Sequence, residues 1–409
     1  MAEPIPIAEA RRRVLASIRP LEAEEIPLAG ALGRVLAQQV TSEVAVPPFD
    51  GSAMDGFALP PGADGRLDVV GESRAGHPWP GSLEAGGAVR ISTGAVVPDG
   101  TAAVVPIEHV TDAGATVQVP PTPDGDNVRR RGEDVQPGDV VLPRGAELSP
   151  PALGVLASVG LAAAHCTRRP LVAILATGDE LAEPGAQLAP GAIWSSNPLA
   201  LAGQVVRAGG VVERTLSVPD DAQATREAVG DALGAADVVC VSGGVSVGPH
   251  DHVKAAFGDL GVEESFWGVA LRPGKPTWFG ARDDDEKRVL AFGLPGNPVS
   301  AMVTFRLFVT PALRALQGAD PASTRAEAVL DEPVARNPRR DQAVRCRITA
   351  APDGLHARPT GPQGSHILTS MLAADALALI ELGDGEVPAG ERVAVELLGG
   401  IPSGLSSRP

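Results

Sequence analysis

A chain of 409 residues with 44% hydrophobic and 21% charged residues carries enough apolar material for several cores and predicts two to four domains. Its formal net charge of −16 argues against nucleic acid and membrane surfaces as partners, and makes any local basic cluster informative. Cys166, Cys240 and Cys346 are too scattered for a zinc ribbon or a disulfide framework, no apolar run reaches the ~20 residues of a membrane span, and the first residues lack a signal-peptide layout, so a soluble cytoplasmic protein is expected.

In chain order, Ile7, Ala10, Val14, Leu15 and Ile18 fall at helical spacing, with Arg11, Arg12 and Arg13 reading as the solvated side. Pro20 ends that helix. A second helix is expected over residues 28–39, where Leu28, Leu32, Val35 and Leu36 share one side. From Val44 onward Pro, Gly and Asp recur between short β-rich runs at 57–59, 67–70, 88–92, 103–107, 116–119 and 140–142, which predicts a small β-rich domain over residues 46–143. Ser149 then reads as the N-cap of a helix over 150–158. The β-rich domain is therefore expected as an insertion in an elongated helical linker made of residues 1–45 and 144–169.

Residues 170–318 alternate strand and helix: strands at 171–176, 211–218, 238–241 and 289–292, helices opening near Asn197, Asp221, Val253 and Pro298. That alternation predicts a parallel sheet with helices on both faces. After Gly318 short β runs return at 345–350, 355–359, 378–381 and 393–398, and residues 319–409 are expected to form a small β-barrel, with a sandwich as the alternative. The fold class is thus multidomain α/β plus β.

The chemistry is expected at one edge of the parallel sheet. Loops 177–180, 219–221, 242–251 and 293–298 all follow strands, and open α/β folds bind ligands at the carboxyl ends of their strands. These loops carry Asp179, Glu180, Asp220, Asp221 and Asp251, the glycine pair Gly243 and Gly244 with Ser246, and the stiff turn through Pro295, Asn297 and Pro298. Individually Asp220 or Asp221 reads equally well as an N-cap and Asp179 as a turn former. Gathered acids repel unless a cation neutralises them, and Mg²⁺ shared with phosphate oxygens suits one or two carboxylates. Arg272-Pro273-Gly274-Lys275-Pro276 is the counterweight: in so acidic a chain, two cations held by prolines and a glycine form an anion site. A phosphorylated ligand, a divalent metal and an oxyanion follow from the residues. The reaction does not.

Seven segments in order, M-D-G-F-A (54–58), I-S-T-G-A (91–95), R-G-E-D-V (131–135), A-T-G-D-E-L (176–181), S-G-G-V-S-V-G-x-x-D (242–251), R-P-G-K-P (272–276) and G-L-P-G-N-P-V-S (293–300), give the chain a resemblance to the MoeA family of molybdopterin molybdenumtransferases, related to the C-terminal domain of gephyrin. The resemblance implies insertion of molybdenum from molybdate into adenylylated molybdopterin, with release of AMP and help from Mg²⁺. It implies a homodimer whose cleft combines the α/β domain of one subunit with the β-rich domain of the other. Molybdopterin adenylyltransferase and cofactor-accepting molybdoenzymes are implied partners. Carried over position by position, the functional residues are Asp55, Thr93, Asp134, Glu180, Asp220 and Asp251, with Glu180, Asp220 and Asp251 on the metal. Gly243, Gly244, Ser246, Pro295, Asn297 and Pro298 line the cofactor precursor, and Arg272, Lys275, Ser300 and Ser370 surround molybdate. Arg272 stands where the family has Lys; it keeps the charge and can grip an oxyanion bidentately. The rival readings are a molybdopterin adenylyltransferase, disfavoured by the extra β domains, and a non-catalytic gephyrin-like scaffold, disfavoured by the retained acids and cations.

Overall fold

The structure, a computed structural model, describes residues 3–245, 252–284 and 287–399. Two compact units form, each discontinuous in sequence: residues 25–32 with 38–165, and the segments before 25, 33–37 and from 166 on.

The first unit is built on a six-stranded sheet whose spatial order is Ala103–Pro106, Gly56–Leu59, Gly87–Ile91, Gly65–Ser73, Thr116–Val119, Thr111–Asp112. Alternation along these strands puts Phe57, Leu59, Ala88, Val105 and Val117 in one core and Ala58, Val89, Ile91 and Val104 in another, as a period of two requires. Gly56 is fixed by contact: a Cβ there would lie 1.9 Å from the Val105 carbonyl oxygen. Helix Pro150–Ser158 starts as expected, its Ser149 Oγ accepting from the Ala152 N–H.

The helix expected over 28–39 does not form. Only a single 3₁₀ turn, Leu28–Gly30, is present. Gly33 takes φ +70° and so stops any continuation, and Leu32 is left exposed. Two glycines within four residues outweigh an apolar spacing that agrees with a helix by coincidence.

The second unit contains the α/β sheet. Its strands are β1 (Leu171–Thr177), β2 (Val211–Val218), β3 (Val238–Ser242), β4 (Glu263–Trp267), β5 (Trp278–Asp283) and β6 (Arg288–Leu294), in the order β2-β1-β3-β6-β5-β4. The first four in that order run parallel. β5 and β4 extend the expected parallel sheet by an antiparallel edge pair; the Phe- and Trp-bearing runs of β4 and β5 are too short and too interrupted by Pro and Gly to announce themselves. Helices Ala222–Ala235 and Val253–Asp259 cover one face. Helices Ile7–Ala16 and Asn197–Arg207 and the run Pro298–Leu316 cover the other. That last run is apolar enough by length to cross a membrane, yet 83% of it is buried here as a core helix.

Beyond the sheet, β7 (Arg325–Leu330), β8 (Asp341–Ala351), β9 (Gly354–Pro359), β10 (Ala376–Ile380) and β11 (Arg392–Leu397) pair in the cycle β8-β9-β7-β11-β10-β8, which closes a five-stranded barrel. β7 carries no strong period-2 signal and is missed by the sequence reading. Val344, Cys346, Ile348, Ala378 and Val395 fill the interior, where burial pushes the Cys346 thiol up to about 12. Residues of opposite parity, Ala343 and Leu377, turn outward and join the core shared with the α/β sheet. Arg11 also departs from expectation. Instead of lying on a solvated face it is mostly buried, its side chain 11% exposed, donating to the Leu307 carbonyl and to Glu396 on β11.

His356 on β9 lies 2.8 Å from Asp331 through Nδ1 and 3.0 Å from Asp353 through Nε2. Hydrogen bonds donated first to Asp331 and then to Asp353 raise its pKa above the usual 6.5. Protonation is therefore favoured by folding, and the stabilisation is complete below about pH 6.5 and lost as pH rises through the raised value. The stability gap between wild type and His356→Gln should shrink between pH 6 and pH 9 in denaturant titrations; a gap that widens with pH would refute the assignment.

Candidate active site

Register alone fixes the edge where ligands bind. Thr177 pairs with Val218, Ala176 with Ser242, and Ser242 with Leu294, so β1, β2, β3 and β6 end level with one another. The four loops identified in the sequence leave from that line. Because β5 is antiparallel, its first residue Trp278 pairs with Gly293 at the same level, and the Arg272–Lys275 segment just before it arrives at the same edge.

The acids meet across β1 and β2. The Asp220 N–H donates to Asp179 Oδ1 at 3.0 Å, and the Asp179 N–H to Asp220 Oδ2 at 3.4 Å. This reciprocal grip holds two carboxylates side by side. Asp221 takes the capping role, accepting from the Ala224 N–H at 2.8 Å, which leaves Asp220 free for a ligand. Glu180 is exposed beside them, its carboxylate folded over Gly178, where a Cβ would lie 2.6 Å from Oε2. Asp179, which the sequence places among the loop acids but which reads equally well as a turn former, is joined directly to Asp220. Among the described residues no cluster of three or more His, Cys, Asp or Glu side chains is poised for a metal. Asp251 and Ser246 lie outside the described residues. The donor set present, exposed carboxylate oxygens with room on one side, fits a hard cation shared with a ligand's phosphates rather than an all-protein cage.

The glycine turns are close-packed. Gly243 (φ +94°) and Gly244 (φ +61°) each lie so near Thr177 Oγ1 that a Cβ would come within 2.9 Å of it. Thr177 Oγ1 is itself buried and has no partner among the described residues. The Gly243 N–H donates to the Leu294 carbonyl, and Ser242 Oγ to the Pro295 carbonyl at 3.1 Å. Asn197, which the sequence marks only as a helix opener, ties these loops together. Its Nδ2 donates to Ser242 Oγ at 2.8 Å and to the Gly296 carbonyl at 2.7 Å. Asn297 caps the helix starting at Pro298 through its backbone alone, and its side chain stays exposed.

The basic segment folds against that helix. Arg272 and Lys275 are exposed and make no ion pair with a described residue, while Gly274 packs on Thr304, where a Cβ would meet Cγ2 at 2.5 Å. Thr304 Oγ1 donates to the Ser300 carbonyl one turn earlier, and Ser300 is itself buried, 4% exposed. From the barrel side the Val299 N–H donates to the Ser365 carbonyl, bringing the 361–368 loop to the same turn. Ser370 is buried as well, but its hydroxyl proton is used within its own turn, donating to the Ile367 carbonyl at 2.6 Å.

Arg345 is the residue the sequence gives no hint of. It lies on β8, is fully buried, and has no carboxylate partner among the described residues. Nη2 makes long contacts to the Pro362 and Gly364 carbonyls at 3.4 and 3.3 Å, while Nε and Nη1 have none. Burial lowers its pKa. Gln363 clamps its backbone from both sides and lines a recess with Arg272. A buried guanidinium whose Nε and Nη1 lack partners among the described residues is short of acceptors, and the Gln363 that holds its backbone reaches the recess of Arg272.

In the other unit, Asp55 Oδ1 accepts from the Thr93 N–H at 2.7 Å, bringing two of the three expected residues together. Asp134 is elsewhere on the same ribbon: its N–H donates to the Val46 carbonyl, whereas Ala53, two residues before Asp55, donates to Asn127.

An open α/β sheet with acids, glycine turns and a cationic recess on its carboxyl edge defines a binder of phosphorylated anions. Comparison with known proteins makes this specific. Residues 5–160 match the model of the MoeA N-terminal region (domain I and II), 173–315 that of a probable molybdopterin binding domain, and 327–398 that of the MoeA C-terminal region (domain IV). The chain is 37% identical to the molybdopterin molybdenumtransferase of Haemophilus influenzae over 95% of its own length and 97% of that protein's. It is 36% identical to molybdopterin molybdenumtransferase 2 of Mycobacterium tuberculosis, covering 95% and 98%. Its structure superposes on the molybdopterin biosynthesis moeA protein of Pyrococcus horikoshii with a TM-score of 0.81 at 30% identity, over 97% of this chain and 100% of that one. The chain belongs to the MoeA family, and its work is a step of molybdenum cofactor biosynthesis.

Proposed function

We propose that this enzyme is a molybdopterin molybdenumtransferase: it transfers molybdenum from molybdate to the dithiolene of adenylylated molybdopterin and releases AMP. The observation that carries the reading is the pairing of an acidic edge with an unsatisfied cationic recess on either side of the Pro298 helix start. In this reading Asp220, Asp179 and Glu180, with Asp251, hold Mg²⁺ against the pyrophosphate; the ion supplies neutralising charge there. Gly243, Gly244 and Asn297 let the phosphates approach backbone, and Asn197 keeps the two glycine turns in register. Arg272, Lys275, Ser300 and Arg345 hold molybdate, a substrate, and offset its repulsion from the phosphorylated partner. A second copy of the chain contributes Asp55, Thr93 and Asp134, so the working form is a homodimer. Three buried free cysteines fit a cytoplasmic site of action.

The test is reconstitution from purified protein, adenylylated molybdopterin, Mg²⁺ and molybdate. AMP release and active cofactor that both depend on molybdate support the reading, whereas formation of the adenylylated intermediate from ATP would make the chain an adenylyltransferase instead. In the same assay Asp220→Asn should raise the Mg²⁺ concentration for half-maximal activity about tenfold, because the ion loses one charged ligand. An unchanged Mg²⁺ requirement would remove Asp220 from the metal.

A further inference from the structure

The stretch that leads into β8, Arg336-Asn337-Pro338-Arg339-Arg340-Asp341, sets three arginines against one aspartate. None of the three makes an ion pair with a described residue. Arg336 is held at its tip, Nη1 donating to the Glu381 carbonyl at 3.1 Å. The Arg339 N–H donates to Asn337 Oδ1 at 3.0 Å, which fixes the turn between them. Asp341 is occupied elsewhere, accepting from the Leu382 N–H at 2.9 Å. Strand register then brings this stretch to the basic segment described above. β8 opens in parallel with residues 271–272, Leu271 beside Asp341 and Arg272 beside Gln342, and the Asp341 N–H donates to the Ala270 carbonyl at 2.9 Å. Arg340 thus stands two residues along from the partner of Arg272, a backbone separation of about 8 Å. That is within the ~10 Å over which charges act at 0.1 M salt. Arg339 is exposed and Arg340 half-buried, while Arg272 and Gln342 line one recess.

We propose that Arg339 and Arg340 are steering residues: with Arg336 they extend the charge of Arg272 and Lys275 into a cationic approach that draws in the dianionic oxyanion substrate. The inference rests on the proposed reaction, and it assigns neither arginine a contact with bound substrate. In a chain of net charge −16 the field of the whole molecule repels a dianion, so capture needs a place where the sign is reversed. Like charges gathered without acids repel one another, and the fold supplies no carboxylate here to relieve them. Attraction at this range depends on charge and distance rather than on shape. It therefore speeds the capture of any small dianion and leaves the choice among molybdate, tungstate and sulfate to the recess itself. The two fields respond to salt in opposite senses. Screening the global negative charge would ease molybdate in, whereas screening the arginines keeps it out.

The measurement is the KM for molybdate in the AMP-release assay, with molybdate binding to the full-length protein followed in parallel by equilibrium dialysis, at about 20 mM and about 300 mM NaCl. The wild-type KM should rise with salt. Arg339→Gln with Arg340→Gln should raise it about tenfold at low salt, leave kcat unchanged and converge on wild type at high salt. Arg339→Lys with Arg340→Lys should behave as wild type, because charge and not guanidinium geometry is what acts. Equal low-salt KM in wild type and the glutamine variant overturns the inference, as does a wild-type KM that falls as salt rises. A loss of kcat, or a loss that the lysine variant shares, makes the pair catalytic or structural and is equally fatal. Dialysis separates this inference from the reaction it rests on. Protein that binds molybdate with the expected charge and salt dependence but releases no AMP keeps the steering surface and sinks the proposed reaction; protein that does neither defeats both.

Discussion

Arg345→Met should lose about 100-fold or more of turnover while the protein melts no lower than wild type. Both halves come from one observation. Arg345 is fully buried with two donors idle, so in the resting protein it costs desolvation energy that its two long contacts to Pro362 and Gly364 scarcely offset. Methionine fills similar volume and removes that cost; even buried ion pairs replaced by well-packed hydrophobics often gain about 1–4 kcal/mol. In the proposed reaction such donors would serve an oxyanion, a role worth a factor on the order of 10²–10³ in rate. Trading stability for function is expected where a site is held ready for charge. Turnover followed by AMP release, together with thermal melting of the same preparation, checks both. A variant that keeps full activity, or one that melts far below wild type, would make Arg345 a structural residue.

Glu396→Ala acts in the opposite sense. Glu396 is 1% exposed on β11 and accepts from Arg11, Arg325 and Thr324. Arg325 is 41% exposed and can turn to water, but Arg11, at 11%, cannot. Removing the carboxylate strands a buried guanidinium, which costs about 3–5 kcal/mol and lowers the melting transition by on the order of 10 °C. Removing both charges, as in Arg11→Met with Glu396→Met, should recover much of that loss, since the penalty lies in the unpaired cation and not in the missing bridge. A double variant no better than the single one would show that the pair itself carries the stability.

These residues also show what a sequence can and cannot disclose. The four strand-end loops were readable because buried parallel strands are continuous apolar runs and punctuation follows each one. The barrel was readable only as scattered β runs; that its strands close into a cycle depends on the pairing of Asp341–Ala351 with Ala376–Ile380, which no local pattern encodes. Arg345 shares its parity with Ala343 and Arg347, so along the strand it reads as one more residue of a solvated face. Only the packing of that face against the α/β sheet makes it an interior cation. Asn197 reads as an ordinary helix start because its partners lie 45 and 99 residues away. Asp179 was separable from a turn former only once its bonds with Asp220 were seen. The false helix over 28–39 marks the reverse error, spacing trusted over two glycines.

Helix Ile7–Ala16 has a kinetic consequence through its partners. Its Arg11 is satisfied by Leu307 and Glu396, 296 and 385 positions further along, and its apolar side docks in the core with the Pro298–Leu316 run. At a synthesis rate of roughly 5–20 residues per second, those partners emerge about 15–80 s later. For that interval the nascent helix presents bare apolar side chains with nothing of its own to close on, while the inserted β-rich unit, complete by residue 165, has its own core much sooner. The opening segment is therefore where a ribosome-bound chaperone would have the longest hold on this chain.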